Sequence, residues 1–319
     1  MNYRGRIIIL SILCLPACSM AWEPITIAHK DMEFSPPIFS AMTEKQTYLL
    51  YEPISFRLMI ENPNGEKIKT YIGIIGDPIE HMSVVSITIK GPDKKAEIYK
   101  AQSLFGEPAV GLMSPHERLT RDYLLSCKLS ISGEYIFNST YTWRNSGEKH
   151  LNYADCRTKA NEVKVAIVEP QAVDKEALDY AGDGMMLMAL QDQESLVWPE
   201  KMDDIKAMRP VFLNKFPNST YARNILFAMA ESQKRDSRYR DAINSLNEYI
   251  NKYPESWFVD DALYSLAECQ IELKEYQEAQ RTIEKLLSFQ TDAKIQRKAK
   301  RLKKGLEKGE KTLDQIFSH

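Results

Sequence analysis

Phe216-Pro217-Asn218-Ser219 recurs 37 residues later as Tyr253-Pro254-Glu255-Ser256, and this repeat decides the fold of the C-terminal half. A fixed period of this length is typical of stacked helical hairpins, in which each unit buries its apolar face against its neighbours. The pattern therefore predicts a helical solenoid, and such stacks usually present a surface to another protein. Behind the motif, the same offset relates Phe227 and Tyr264, Ala230 and Ala267, Glu231 and Glu268, Tyr239 and Tyr276, Ala242 and Ala279, Leu246 and Ile283, and Ile250 and Leu287.

The period extends one unit towards the N terminus in a degenerate form. Shifting the repeat back by one period places Leu190 at the position of Phe227. Residues 174–193 are rich in Ala, Leu and Met and predict helix, interrupted at Gly182-Asp183-Gly184. We therefore expect about three hairpins, near the minimum for a stable stack, with an irregular first unit.

Before Pro170 the sequence consists largely of runs that are typical of strands. From Ile54 to Ile60, apolar residues occupy every second position. Gly and Pro residues separate most of the runs, and about seven short strands predict an antiparallel β-sandwich of immunoglobulin type. The runs are residues 48–62, 70–75, 84–89, 96–99, 119–128, 135–143 and 163–168.

Three residues of this half carry more specific expectations. Tyr135 follows Ser132-Gly133-Glu134 just before the penultimate run, which is the setting of a tyrosine corner, where the hydroxyl ties a loop back to the strand. In an oxidising compartment, Cys127 and Cys156 would form a disulfide; the alternative is two separate thiols.

The first residues follow the order of a secretory signal. Arg4 and Arg6 precede an apolar run over residues 7–15, and small residues follow. The run is shorter than the roughly 20 residues that span a bilayer. Cleavage after Ala21 would remove residues 1–21, whereas a lipobox-like sequence ending at Cys18 offers lipidation of that cysteine as the alternative. We therefore predict an exported chain, periplasmic or associated with the outer membrane, that meets a membrane only in the alternative in which Cys18 carries a lipid.

The composition is that of a folded protein with two domains. Hydrophobic residues make up 44% of the chain, and the net charge of −2 gives no general affinity for nucleic acid. At roughly 150 residues per domain, the change of pattern divides the mature chain into a sandwich over residues 22–169 and a helical repeat domain over residues 170–319.

The spacing of small and bulky residues in the repeats resembles that of the tetratricopeptide repeat family. The unit has three extra residues and an aromatic-Pro-x-Ser linker, and in this it is similar to the repeats of two bacterial envelope proteins, the barrel-assembly outer-membrane lipoprotein and the Tol-associated division coordinator. The strand-rich half has no counterpart in those two proteins. The matching positions are Ala230, Tyr239, Ala242, Leu246 and Pro254 in one unit, and Ala267, Tyr276, Ala279 and Ile283 in the next.

The resemblance implies a groove that is lined by the first helix of each hairpin. Acidic and amide groups beside an aromatic ring would hold an extended segment of an envelope protein by hydrogen bonds and an apolar anchor. The alternative is that the two rings pack between helices. The groove positions are Asn224, Phe227, Glu231 and Lys234 in one repeat, and Asp261, Tyr264, Glu268 and Ile271 in the next.

The end of the chain concentrates positive charge. Between Lys294 and Lys311 there are nine Lys or Arg and two Glu residues, a net charge of 9 − 2 = +7. Apolar residues recur at helical spacing within this stretch and predict a helix that caps the last hairpin. The alternative role is contact with an anionic surface, either lipid head groups or an acidic partner. The apolar residues are Ile295, Ala299, Leu302 and Leu306.

Catalytic signatures are lacking in the sequence. It contains no His-Glu-x-x-His, Gly-x-Ser-x-Gly or phosphate-binding glycine loop, and its histidines are scattered. We therefore predict no catalytic residues, metal or cofactor, and a non-enzymatic exported scaffold that binds a partner through its repeats. Two alternatives stay open: a carbohydrate or peptidoglycan reader in which a ring of Tyr141 or Trp143 stacks on sugar, and a hydrolase with a site near residues 170–184.

Overall fold

The N-terminal part of the chain is built from strands. In a computed structural model, the described residues are 35, 37–65, 67–72, 84–93, 96–99, 109–144, 155–192, 201–289, 293–309, 313 and 316. The predicted signal segment and Cys18 lie outside them. The strands are β1 (Ile38–Thr43), β2 (Thr47–Leu49), β3 (Ile54–Glu61), β4 (Ile68–Ile72), β5 (Val84–Lys90), β6 (Ala96–Tyr99), β7 (Ala109–Met113), β8 (Arg118–Leu125), β9 (Gly133–Arg144), β10 (Asp155–Lys159) and β11 (Val163–Val168).

These strands form three sheets. The first has the order β1-β3-β8, the second β2-β11-β9-β5-β6 with β10 also paired to β9, and β4 pairs with β7. All pairs are antiparallel except β11 with β2, where Ile167 lies opposite Tyr48. The expectation of a wholly antiparallel arrangement is therefore wrong at this pair. The three-residue strand β2 runs alongside the last strand, and the alternation of side chains carries no signal for strand direction.

Side chains of the first two sheets meet in a shared core. Phe56 of β3 contacts Phe137 of β9, and Phe39 of β1 contacts Tyr141 of β9, each with ring centroids 5.7 Å apart. Along β11, buried and exposed residues alternate strictly, as expected for a strand with one face in a core. The strand pattern of the sequence thus predicted the inward-facing residues of this region.

The side chains of Tyr135 and Asn161 hydrogen-bond to backbone groups at the end and at the edge of the sheets. The Tyr135 hydroxyl donates to the carbonyl of Ile131 at 3.0 Å, so the tyrosine corner expected from the sequence is confirmed. On the edge strand β1, the N–H of Ala41 donates to Asn161 Oδ1, and Asn161 Nδ2 donates to the carbonyl of Ala41, both at 2.9 Å. This amide satisfies backbone groups that a neighbouring strand would otherwise satisfy.

The C-terminal part is helical, and its order of hairpins follows the sequence period. Helices α2 and α3 form the irregular first hairpin, α4 and α5 the second, and α6 and α7 the third. The helices are α1 (Ala172–Ala181), α2 (Gly184–Gln191), α3 (Met202–Lys215), α4 (Ala222–Arg235), α5 (Tyr239–Lys252), α6 (Val259–Glu272), α7 (Tyr276–Leu287) and α8 (Ala293–Glu307).

Small residues allow the helices of a hairpin to approach closely. Ala230 of α4 and Ala242 of α5 are fully buried, and so are their counterparts Ala267 and Ala279 in the next hairpin. A buried polar contact also repeats: Ser245 Oγ donates to Gln233 Oε1, and Thr282 Oγ1 donates to Gln270 Oε1, each at 2.8 Å. The hairpins therefore share a polar contact between their two helices as well as an apolar core.

The aromatic-Pro-x-Ser motif forms the turn between hairpins. The N–H of Ser219 donates to the carbonyl of Phe216 at 3.1 Å, and the N–H of Ser256 donates to that of Tyr253 at 3.0 Å. Each serine carbonyl then accepts from the first residue of the next helix. Proline suits the second position of such a turn because its φ is already fixed.

The turn within each hairpin uses a left-handed residue that is not glycine. Ser237 has φ 59° and Lys274 has φ 63°, and the two are one period apart. In both turns the next N–H reaches back five residues, from Arg238 to the Gln233 carbonyl and from Glu275 to the Gln270 carbonyl. These bonds satisfy carbonyls at the helix end.

Helix α8 caps the stack as predicted. Ile295, Ala299 and Leu302 are buried in the core of the repeats, and Leu306 packs against them. Ile316 is buried in the same core. The apolar stripe read from the sequence is thus the contact face of this helix.

Strand-rich and helical parts are in direct contact. The Tyr221 hydroxyl donates to the carbonyl of Leu50 at 2.9 Å, and Gln191 Nε2 donates to the carbonyl of Tyr51 at 3.1 Å. A Cβ on Gly184 would lie 2.1 Å from the Tyr51 ring, so only glycine fits at the start of α2. The first hairpins therefore pack tightly against the segment between β2 and β3.

Candidate functional site

A mostly buried ion pair joins the strands to the repeats. Glu44, between β1 and β2, accepts a hydrogen bond from Arg223 of α4 at 2.8 Å and from the N–H of Trp257 at 3.0 Å. Arg57 of β3 lies over the Trp257 ring, 4.1 Å from its centroid. We call Glu44, Arg223, Arg57 and Trp257 the junction. It fixes the start of α4 and the turn before α6 against the sheets.

The apolar residues expected to line a groove lie in the core. Phe227 is 5% exposed and contacts the rings of Tyr249 and Phe258, with centroids 5.0 and 6.2 Å away. Tyr264 is also 5% exposed, and Ile271 is fully buried. These side chains pack between helices, which was the alternative to an anchor for a peptide. Binding of a partner by these three residues would require the core to open.

The polar groove residues come together in a half-buried group. Lys234 Nζ lies 3.0 Å from Glu231 Oε2 and 3.1 Å from Glu268 Oε2, and it donates to Ser265 Oγ at 2.7 Å. Glu231, Lys234, Ser265 and Glu268 form what we call the repeat ion cluster. It connects α4 to α6, so the structure brings together residues from both repeats that the sequence placed at matching positions.

This cluster holds more negative than positive charge. Burial alone would lower the pKa of Lys234, but the adjacent Glu231 and Glu268 carboxylates outweigh burial and raise it, so the ammonium stays charged. Two carboxylates share one ammonium, and Glu231 Oε1 has no hydrogen-bond partner among the described atoms. The Oε1 atom itself is buried, but the Glu231 and Glu268 side chains are 15% and 17% exposed, so the cluster presents a small acidic surface.

Two other predicted groove residues flank the cluster. Asn224 is buried near the start of α4, and its Nδ2 has no hydrogen-bond partner in the described part of the chain. Asp261 is half-buried on the first turn of α6. Both thus lie on the two helices that carry the cluster, nearer to the strands.

The polar residues at the boundary between strands and helices have local structural partners. Asp174 of α1 accepts from Ser219 Oγ and from the N–H and hydroxyl of Thr220, at 2.8, 2.6 and 2.9 Å. Asp183 caps α2 by accepting from the N–H of Met186 at 2.7 Å. These contacts fix helices α1 and α2, and they give no support to a hydrolase site at residues 170–184.

The structure corrects the expected disulfide. Cys127 is a buried free thiol. Cys127 belongs to a segment that hydrogen-bonds next to one end of β11. That end of β11 pairs with Gly133, the first residue of β9. Cys156 pairs with Trp143, ten residues further along β9, or about 33 Å at ~3.3 Å per residue. Bridged cysteines have Cα atoms only about 4–7 Å apart, so the two lie at opposite ends of the sheet.

The remaining sequence expectations concern a sugar site, a metal and the membrane. Tyr141 is 1% exposed and belongs to the core, so it cannot stack on a sugar; the Trp143 side chain lies outside the described part. Among the described residues, no group of three or more His, Cys, Asp or Glu is placed to hold a metal ion. In the same part of the chain, no helix has the length and apolar character needed to cross a membrane.

Most of the second hairpin, the whole third hairpin and the cluster lie in a region with a family match. Residues 228–302 match the tetratricopeptide repeat family. The match runs from α4 into α8 and includes the repeat ion cluster, so the resemblance seen in the spacing is confirmed for this region. Among curated proteins, no sequence matches the chain.

Similar solved structures share little sequence with the chain. An ASH/PapD-like domain of human CEP192 is 14% identical, covering 46% of this chain and 99% of that one, with a TM-score of 0.24. Escherichia coli alpha-2-macroglobulin is 11% identical, covering 89% and 61%, with a TM-score of 0.24. The DNA glycosylase AlkC from Pseudomonas fluorescens is 9% identical, covering 42% and 31%, with a TM-score of 0.25. At these scores the similarities carry no functional inference.

The sequence did not indicate the junction. Glu44 and Arg223 are 179 residues apart, and no periodic pattern links a loop between strands to a helix of the repeats. Trp257, in contrast, directly follows the repeated Pro-x-Ser motif, where an added aromatic residue was visible. Ser265 was also missed, although it lies four residues after Asp261 and three before Glu268, on the same helix face.

Proposed function

We propose that the chain is a non-enzymatic scaffold of the bacterial cell envelope, which binds a partner protein through its helical repeats. The observation that carries this proposal is the tetratricopeptide match over residues 228–302. Stacked hairpins of this kind present extended surfaces to partner proteins. Export rests on the order of charged, apolar and small residues at the start of the sequence.

The repeat ion cluster is the part of the repeats that we assign to the partner. Its carboxylates outnumber its ammonium, and the side chains of Glu231 and Glu268 are 15% and 17% exposed. A partner segment that brings a Lys or Arg side chain, or backbone N–H groups, would contact the exposed part of these two carboxylates. Asp261 would extend the acidic surface along α6.

The strand-rich region would then hold the repeats in a fixed setting. We infer an immunoglobulin-like sandwich over residues 22–169 and a repeat domain over residues 170–319. The junction ties the two together through Glu44 and Arg223, whose side chains are 9% and 13% exposed. A partner would therefore meet repeats that are already packed against the strands.

Capture of the partner in cells tests this proposal. A photo-crosslinking residue replaces Asp261 or Glu272 on α6 of the tagged full chain, and replaces the exposed Asn247 or Glu248 on α5 in the control. We expect one envelope protein to be captured from the α6 positions and lost from the α5 positions. Equal capture from both helices, or none from either, would refute binding at this face.

A charge-matched pair of variants tests the cluster itself. Glu231→Gln with Glu268→Gln removes two carboxylates from the cluster, and Glu278→Gln with Glu284→Gln removes two exposed carboxylates from α7. We expect the first pair alone to lose capture when the amounts of folded protein, measured from thermal unfolding, are equal. Unchanged capture by the folded first pair would exclude the cluster as the binding site.

A further inference from the structure

Helix α8 has two opposite faces of different chemistry. Its buried face, Ile295, Ala299 and Leu302, packs against the core of the repeats. At about 100° per residue, a second row of residues lies on the opposite side, within an arc of about 100°. From Arg297 onwards, all five members of that row are exposed cations, which we call the basic face: Arg297, Lys300, Arg301, Lys304 and Lys308, the last in the turn directly after the helix.

The charge of this face is local and unlike that of the rest of the chain. The whole chain carries −2, and the stretch from Lys294 to Lys311 carries +7, so the remainder carries −2 − 7 = −9. Glu307 is the single acidic residue in the sequence of α8, and it lies at the edge of the basic face. A negatively charged surface would therefore attract α8 and repel the remainder, which orients the molecule.

We propose that the basic face of α8 binds the surface of a membrane that contains anionic phospholipids. The five cations lie within the 12 residues from Arg297 to Lys308 and extend over about 16 Å at ~1.5 Å per residue, an array that suits a plane of phosphate groups. Rows of four to eight Lys or Arg residues on one side of an amphipathic helix are a recognised form of such contact.

Lipid fits this face better than an acidic protein. Protein interfaces contain an apolar or aromatic centre that is sealed from water. From Arg297 onwards this face has no apolar or aromatic member, because Ile295, Ala299 and Leu302 are buried against the repeats and Leu306 packs on the same core. The contact depends on charge alone, so it leaves the helix docked on the stack. It does not rest on the binding of a protein partner by the repeats.

Sedimentation of the full chain with vesicles tests the proposal. The vesicles contain phosphatidylglycerol and phosphatidylcholine, or phosphatidylcholine alone. Every variant keeps the same first 34 residues, so any contribution of that segment cancels. We expect binding to the anionic vesicles only, and loss of binding as salt rises from about 0.05 M to about 0.5 M, where charges are screened within a few ångströms.

Two pairs of substitutions locate the contact. Lys300→Gln with Lys304→Gln should weaken binding by about 25-fold, since each cation near an anionic surface contributes about fivefold. Lys90→Gln with Lys175→Gln changes the net charge equally at exposed residues of β5 and α1 and should bind as the unmodified chain does. Circular dichroism confirms that both pairs are folded.

Three results would overturn the proposal. The first is equal binding to vesicles with and without phosphatidylglycerol. The second is full binding by the folded Lys300 and Lys304 variant. The third is absence of binding to anionic vesicles together with binding of polyglutamate that this variant loses, which would assign the basic face to an acidic protein.

Discussion

Arg223 Nη1 lies 2.8 Å from Glu44 Oε2, and this pair ties a helix of the repeats to the loop between the first two strands. Burial alone would lower the pKa of Arg223, but its surroundings, Glu44 foremost, outweigh burial and raise the pKa, so the guanidinium stays charged. Glu44 also accepts from the N–H of Trp257. One carboxylate thus fixes two successive hairpins relative to the sheets.

Removing that carboxylate should destabilise the whole molecule. We expect Glu44→Ala to lower the free energy of unfolding by about 3 kcal/mol, because it leaves a mostly buried guanidinium without its main partner. The control is Glu162→Ala, which breaks an exposed pair with Lys164 and should cost less than ~1 kcal/mol. Urea unfolding gives both values, and a similar small loss in the two variants would contradict a structural role for the pair.

Phe227 should act as a core residue. We expect Phe227→Ala to lower the free energy of unfolding by about 3–5 kcal/mol, since its ring fills the space between Tyr249 and Phe258. Phe289→Ala is the control, because that ring is 43% exposed and its loss should have a small effect. If Phe227→Ala unfolded like the unmodified chain yet lost the partner, the ring would belong to the binding surface after all.

The sequence allowed the repeats to be predicted but could not separate core from surface within them. A period of 37 reveals Phe227 and Tyr264 equally well whether they pack inside or face a partner, because both roles recur with each unit. Burial decides between them, and it depends on neighbours such as Phe258, which is contributed by the following turn. The period placed Glu231 and Glu268 at matching positions of two repeats, but only the structure gives their distances to Lys234.

Stability should fall as the pH rises above the ordinary pKa of a thiol. Burial raises the pKa of Cys269 to about 12 in the folded chain, against about 8.5 when unfolded. A folded pKa above the unfolded value means that the stabilisation is complete below about pH 8.5 and is lost as the pH rises towards 12. We expect a loss of about 1.4 kcal/mol per pH unit from this thiol.

The slope of the unfolding free energy against pH tests whether Cys269 is the thiol responsible. Cys269→Ala should flatten the decline in unfolding free energy between about pH 8.5 and 10, measured in urea with a reductant present. Burial also raises the pKa of Cys127 and of tyrosines such as Tyr249, which ordinarily titrate near pH 10, so their contributions remain in both proteins and cancel in the comparison. An identical slope with and without Cys269 would contradict its burial.

The turn within the last hairpin should be improved by glycine. Lys274 is exposed and has φ 63°, a conformation that costs a residue other than glycine about 1 kcal/mol or more. We expect Lys274→Gly to raise the unfolding free energy by about 0.5–1 kcal/mol, after allowing for the greater freedom of glycine in the unfolded chain.

Lys285→Gly is the control, and we expect it to change stability in the opposite direction. Lys285 is exposed on α7, where glycine should cost about 1 kcal/mol relative to a good helix former. Thermal unfolding of both variants gives the comparison. Destabilisation by Lys274→Gly would mean that the turn depends on the lysine side chain and not on backbone strain.

Three strands, β1, β7 and β10, were missed in the sequence, and β2 was joined to β3 in one predicted run over residues 48–62, for identifiable reasons. β2 has three residues, β7 contains Gly111, and β10 reads Asp155-Cys156-Arg157-Thr158-Lys159, with no apolar alternation. β1 holds its register through six pairs with β3, which local sequence does not encode. Strands with a strict period, such as β11, were found because one of their faces is buried.

Asn161 has a consequence for how separate molecules behave. Its side chain hydrogen-bonds to both backbone groups of Ala41 on β1, the last strand of its sheet. An uncovered edge strand is a template for another chain, and copies that join edge to edge grow into aggregates. By occupying that position with its own amide, the protein resists such self-association at high local concentration.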